Sequence, residues 1–170
     1  LESEILLVAA WFHDTGYIYG CENHENHSID IVSDFLKEKD KSEEYIQQVS
    51  SIIKATIFDY IPQSLLEKII KDADFFHFTK EDYPIKCNLL RREWESTNRV
   101  KYTDLEWAQE NLRMLSQRHV YYTEYAIENW QTLKEKNIKV IEQEIQNMQN
   151  DSSDLLEVTK IKKKKTKKED

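Results

Sequence analysis

The chain has 170 residues, enough for one domain with a real core. Two Gly and two Pro in that length argue against a turn-rich β fold, and no apolar run approaches the roughly 18 residues that span a bilayer. The net charge is −8, and the last eleven residues hold seven Lys and two acids, so the remainder carries −13, a poor platform for nucleic acid.

The order of elements reads as all-α, a bundle of about seven helices. The first helix is predicted over 3–14. Eight apolar residues run unbroken from Ile5 to Phe12, with no polar face, which predicts burial on all sides. Gly16, just past its end, predicts a left-handed cap. His13 and Asp14 therefore sit on the last turn, and burying both costs several kcal/mol, roughly, unless they are paired or bind a metal.

The second helix is predicted over 24–39, with Ile31, Val32, Phe35 and Leu36 as its apolar stripe. Stepping back by fours places His24 and Ser28 within that stripe and His27 at its border. The third helix, 42–58, has Ile46, Val49, Ile53 and Ile57 on its core face, with Thr56 near it. The fourth opens on a capping box, Ser64 with Glu67, and carries Leu65, Leu66, Ile69, Ile70, Ala73 and Phe76 as its stripe. Asp72 and Asp74 fall on opposite borders of that stripe, and periodicity does not choose between them.

A fifth helix, 82–97, packs through Leu89, Leu90 and Trp94, leaving Arg91 and Arg92 on the surface. A sixth, 103–118, opens on a second capping box, Thr103 with Glu106. The seventh spans about 123–150. Ile127, Trp130, Ile138, Ile141, Ile145 and Met148 form a narrow stripe, which suits contact with a partner helix and hence an oligomer. Residues 1–150 are thus expected to form one helical domain and 151–170 a disordered Lys-rich tail. Cys21 and Cys87 make no disulfide framework and no signal peptide is visible, so the cytoplasm is the expected compartment. There is no Gly-rich phosphate loop and no zinc-finger cysteine spacing.

Trp11-Phe-His-Asp-Thr-Gly-Tyr17 resembles the signature of the HD-domain metal-dependent phosphohydrolases. Lys71-Asp-Ala-Asp-Phe75 resembles the stretch that ends that family's metal motif, and Asn23-His-Glu25 with Ser28 and Leu89-Leu-Arg-Arg-Glu-Trp94 are similar to segments of one bacterial subgroup. The resemblance runs from Ile5 to about Tyr125 with order and spacing intact.

That resemblance implies a helical bundle around a divalent metal ion, held by His13, Asp14 and Asp74. Asp74 is chosen because the family's distal aspartate follows an alanine, as Ala73-Asp74 does. Carboxylate and imidazole suit Mn²⁺, Fe²⁺, Ni²⁺, Co²⁺ or Mg²⁺. The activity implied is hydrolysis of a phosphate ester in a small phosphorylated molecule or nucleotide by metal-activated water. Asp72 and Glu25 are candidates to take the proton of that water, and Lys54 is a candidate phosphate contact, with a solvated lysine the favoured alternative.

His24 resembles the histidine beside the metal in the subgroup and would meet phosphate or a second metal. His27 is assigned to structural support. Lys54 and Thr56 stand where two-metal members carry a further histidine, which implies a single metal. The family's first histidine lies upstream of the first helix. The chain opens on Leu1 almost directly into that helix and reads as a fragment with three of four protein ligands, so weak metal binding and poor turnover are expected. The alternative is a degenerate HD helical domain serving ligand sensing or protein interaction.

Overall fold

A computed structural model of the protein describes residues 2–97 and 101–166, with side chains described for 2–97 and 101–151. Among the described residues there are seven α-helices and no strand. They are α1 (Glu2–Phe12), α2 (His24–Glu38), α3 (Glu43–Lys54), α4 (Leu65–Asp74), α5 (Tyr83–Thr97), α6 (Asp104–Arg113) and α7 (Glu124–Thr166). Short 3₁₀ helices cover Thr15–Tyr19 and Phe75–Thr79, and a π turn covers Met114–Arg118. The contacts divide the chain into two compact units: 1–77 with 121–128, and 78–120 with 129–170.

The first unit is built on α1 to α4. Its core is aliphatic, with Ile5 and Ala9 of α1, Val32 and Leu36 of α2, Ile46, Val49 and Ile53 of α3, and Ile70 of α4. Both α1 and α4 pack on α3. The run from Ile5 to Phe12 is not buried all round, because α1 touches its neighbours along one side only. Leu7 and Trp11 are 61% and 82% exposed on the other. The third helix stops at Lys54 rather than at residue 58. The carbonyls of Ala55, Ile57 and Phe58, which continued helix would use, instead accept from the buried Lys71 ammonium at 3.1, 2.7 and 3.0 Å.

The fourth helix opens on the predicted capping box of Ser64 and Glu67. Its buried face is turned away from the apolar stripe, however. Glu67, Ile70, Lys71 and Asp72 are inside, while Leu65 and Ala73 are exposed. Each buried charge is satisfied by backbone: Glu67 accepts from Gln63 and Ser64, and Asp72 from Tyr122 and Thr123.

The second unit packs α5, α6 and the later part of α7 around aromatic edges. Phe78 meets Tyr83 at 5.4 Å, and Trp94 meets Trp107 at 5.8 Å, both edge-on. The face of α5 is also one step round from expectation. Tyr83 and Cys87 are buried, whereas Leu89 and Leu90 are exposed. Arg91 is drawn down among Glu95, Asp104 and the Tyr102 carbonyl. The sixth helix carries its Thr103–Glu106 capping box, then widens into the π turn through His119 N–H to the Met114 carbonyl.

On α7, Ile141 and Ile145 are buried as the stripe predicts, but Ile127 is half exposed. Lys134 and Asn137 take inward places, bonded to the carbonyls of His119 and of Phe78 and Lys80. The backbone of α7 stays helical to Thr166, past residue 151, where the sequence predicts disorder. The expectation for 167–170 lies outside the described residues. Among the described residues no helix is long and apolar enough to cross a membrane.

Candidate metal centre

Two segments 60 residues apart meet at His13. The last turn of α1 continues to it, through His13 N–H to the Ala9 carbonyl at 2.9 Å. Its Nδ1 faces the Ala10 carbonyl at 2.9 Å, which leaves Nε2 pointing outward from the helix. Nε2 lies 3.2 Å from Asp14 Oδ2 and 3.6 Å from Oδ1 of Asp74, the last residue of α4. His24, the first residue of α2, is arranged alike. Its Nδ1 faces the Cys21 carbonyl at 2.9 Å and its Nε2 lies 3.5 Å from Asp14 Oδ1. Glu25 Oε2 is 3.5 Å from His24 Nδ1.

Gly16 brings these pieces together by its lack of a side chain. A Cβ there would lie 2.0 Å from the His24 carbonyl oxygen and 2.7 Å from Ser28 N. The Gly16 N–H also donates to the buried Ser28 Oγ at 2.8 Å. The close approach seats the 3₁₀ turn on the first turns of α2 and so sets Asp14 against His24. The left-handed cap expected at Gly16 is absent. Positive φ occurs instead at Gly20, 122°, and at Asn23, 58°, just before α2. Ser28 and His24 share the inward face as predicted, and the Tyr17 ring lies over His24 with centroids 4.0 Å apart.

The electrostatics follow from two carboxylates converging on one imidazole. Asp14 first and Asp74 second push His13 from its ordinary 6.5 up to about 10, against partial burial, which acts the other way. Asp14 is in turn held below the usual carboxylate range, chiefly by His13. The two carboxylates thus favour the protonated form of His13 in the metal-free protein. Among the described residues, no group of three or more His, Cys, Asp or Glu side chains stands as a ready metal cage. The donor chemistry nonetheless fits a borderline divalent cation: an imidazole nitrogen with its far nitrogen held by a carbonyl, and two carboxylates.

Of the residues singled out from sequence, the structure gathers His13, Asp14, Asp74 and His24. It does not gather the others. Asp72 is 2% exposed and points to the start of α7. Its oxygens accept from Tyr122 N–H at 2.9 Å, Thr123 N–H at 2.8 Å and the Thr123 hydroxyl at 2.6 Å. With both oxygens engaged it is not placed to act as a base. Lys54 is exposed, its Nζ 6.0 Å from the Tyr60 ring centroid. His27 packs against Tyr19, centroids 5.2 Å apart.

Sequence reasoning missed Lys71. It lies on the same α4 face as Glu67, Ile70 and Asp74, a spacing visible on a helical wheel once its charge is not taken to mean exposure. Burial lowers the Lys71 pKa, opposed by Asp74, Asp59 and Glu25. The second unit holds a cleft of about 450 Å³ between α5, α6 and α7, but none of these residues lines it. Its polar floor is satisfied internally, Tyr83 Oη donating to Asn111 Oδ1 at 2.9 Å.

Residues 1–79 match the family model described as the HD domain. No curated protein and no solved structure matches the chain.

Proposed function

The chain belongs, through residues 1–79, to the HD-domain superfamily, and on that premise we propose that it hydrolyses a phosphate ester of a small phosphorylated molecule or nucleotide with one divalent metal ion. HD domains are typically those of metal-dependent phosphohydrolases. The observation that carries the reading is the convergence on His13 Nε2 of its neighbour Asp14, at 3.2 Å, and of Asp74 from the end of α4, at 3.6 Å. Nothing in the core of the first unit, which is aliphatic, requires that convergence.

His13, Asp14 and Asp74 would hold the ion, which is Mn²⁺, Fe²⁺, Ni²⁺, Co²⁺ or Mg²⁺ by the chemistry of the donors. When bound, such an ion acidifies water and polarises a phosphoryl oxygen. The remaining work falls to side chains. His13 would offer Nε2 to the ion, its ring held in place because Nδ1 is tied to the Ala10 carbonyl. His24, held through Nδ1 at Cys21, presents Nε2 beside Asp14, where it meets a phosphate oxygen. With Asp72 committed to the backbone, and Glu25 beside His24 Nδ1 on the side of the ring away from Asp14, Asp14 is the sequence-named carboxylate placed to accept the proton of the attacking water.

The competing reading, a degenerate HD domain that binds a ligand or a protein, is favoured by one observation. Leu7 and Trp11 leave an apolar strip of α1 in solvent. Metal analysis of purified protein separates the two, followed by phosphatase assays with Mn²⁺ on the wild type, His13→Ala and Asp74→Ala. The hydrolase predicts bound metal and turnover lost in both variants. Metal-free wild type, with both variants behaving identically to it, rejects the hydrolase.

A further inference from the structure

Two consecutive residues of α4, Lys71 and Asp72, are buried charges of opposite sign, 5% and 2% exposed. Such groups are among the costliest to place inside a protein unless fully paired. Neither is salt-bridged to the other. Lys71 spends its three donors on the carbonyls of Ala55, Ile57 and Phe58, at the carboxyl end of α3. Asp72 spends its two oxygens on three donors, Tyr122 N–H, Thr123 N–H and Thr123 Oγ1–H, at the amino end of α7. Thr123 Oγ1 in turn accepts from Ala126 N–H at 3.2 Å, so Asp72 fixes the hydroxyl that caps α7.

The polarities match: the cation meets carbonyls of the turn that follows α3, and the anion meets the amides that precede α7. Successive residues lie about 100° apart round a helix, so the two anchors grip α4 from different sides. Asp74 follows two residues later, on the last turn. A side-chain terminus lies about 5–6 Å from the helix axis, so a rotation of α4 by about 20° carries the Asp74 carboxylate about 2 Å. That displacement is enough to part it from His13, now at 3.6 Å. Ile70 seats α4 on the core, and the two anchors on different sides of the helix oppose its rotation about that seat.

We propose that Lys71 and Asp72 are positioning residues that together set the rotation of α4 and deliver Asp74 to His13. The metal-binding part of this inference rests on the hydrolase reading; the geometric part does not. The experiment uses the full chain with Lys71→Met, Lys71→Arg, Asp72→Asn and the milder Thr123→Val. Ile70→Val, a buried apolar change on the same helix, controls for lost stability. Two quantities are measured at a temperature where each variant is folded: Mn²⁺ affinity, and the ¹⁵N shifts of the His13 imidazole without metal.

Lys71→Met and Asp72→Asn are expected to weaken Mn²⁺ binding about tenfold or more and to move the His13 shifts. Lys71→Arg restores both in part, and Ile70→Val leaves both unchanged. If the two main variants do not fold, Thr123→Val, which removes one donor to Asp72, carries the test in the same direction. Folded variants with wild-type shifts and affinity overturn the proposal, as does an equal loss in Ile70→Val. If the wild type takes up no Mn²⁺, the hydrolase reading fails by itself. The His13 shifts then decide the positioning role: movement upholds it and constancy refutes it.

Discussion

Proton and metal ion compete for one atom, His13 Nε2, because Nδ1 is committed to the Ala10 carbonyl. With His13 pushed up to about 10, roughly one molecule in 300 offers a free lone pair there at pH 7.5. An ion must displace the proton in the others, which costs about 3.4 kcal/mol in binding at that pH. Affinity should therefore rise about tenfold per pH unit, giving roughly a hundredfold tighter Mn²⁺ binding at pH 8.5 than at pH 6.5. Asp14, held low by His13, is ionised throughout that range and adds no slope. Isothermal titration across these pH values measures the slope directly. Repeating it in buffers of different ionisation enthalpy counts the released protons, expected at about one per ion. A histidine titrating at its ordinary 6.5 would change affinity by less than about twofold between pH 7.5 and 8.5. That flat result, or the absence of proton release, would refute the assignment of a proton shared with Asp14 and Asp74.

The same raised pKa acts on folding in the metal-free protein. His13 binds its proton more tightly folded than unfolded, so its contribution is fully present below pH 6.5 and is lost as pH rises from there through about 10. The full shift corresponds to about 5 kcal/mol, of which the rise from pH 6.5 to 9.5 removes about 4 kcal/mol at most, Asp14 being half exposed. Urea midpoints in chelator at pH 6.5 and 9.5 should fall accordingly, and in His13→Ala the fall should vanish. Gly16→Ala should cost about 3 kcal/mol, since the new Cβ meets backbone of His24 and Ser28. Gly20→Ala, at a φ of 122° in open space, should cost only about 1–2 kcal/mol; equal losses in thermal melts would contradict this account. Lys54→Met should leave stability within about 0.5 kcal/mol and phosphatase activity unchanged. A tenfold loss of activity in that variant would put Lys54 back among the phosphate contacts.

What could be read from sequence was local. Both capping boxes depend on residues three apart and form as predicted. His13 beside Asp14 is local too, and the His24–Ser28 spacing places one face of α2 inward without reference to any partner. The failures share a different property: each depends on what a distant segment presents. An unbroken apolar run says that α1 can be buried, yet only a neighbour on every side would bury Trp11. Gly16 followed a helix and suggested a turn conformation, but its lack of a Cβ serves contact with the His24 carbonyl, eight residues on.

The largest miss concerns charge. Hydrophobic periodicity treats Lys71, Asp72 and Lys134 as outward by type, although a buried ammonium or carboxylate is stable wherever backbone groups of the right polarity converge. Helix ends supply such groups in threes and fours, carbonyls at one end and amides at the other. No pattern within a single helix reveals that the carboxyl end of α3 and the amino end of α7 flank α4. Hence Asp72 and Asp74, symmetric on the stripe, have opposite fates. One carboxylate is surrounded by backbone donors and is spent on holding the helix. The other, on the last turn, meets an imidazole instead of an amide, and keeps the capacity to exchange its partner for an ion.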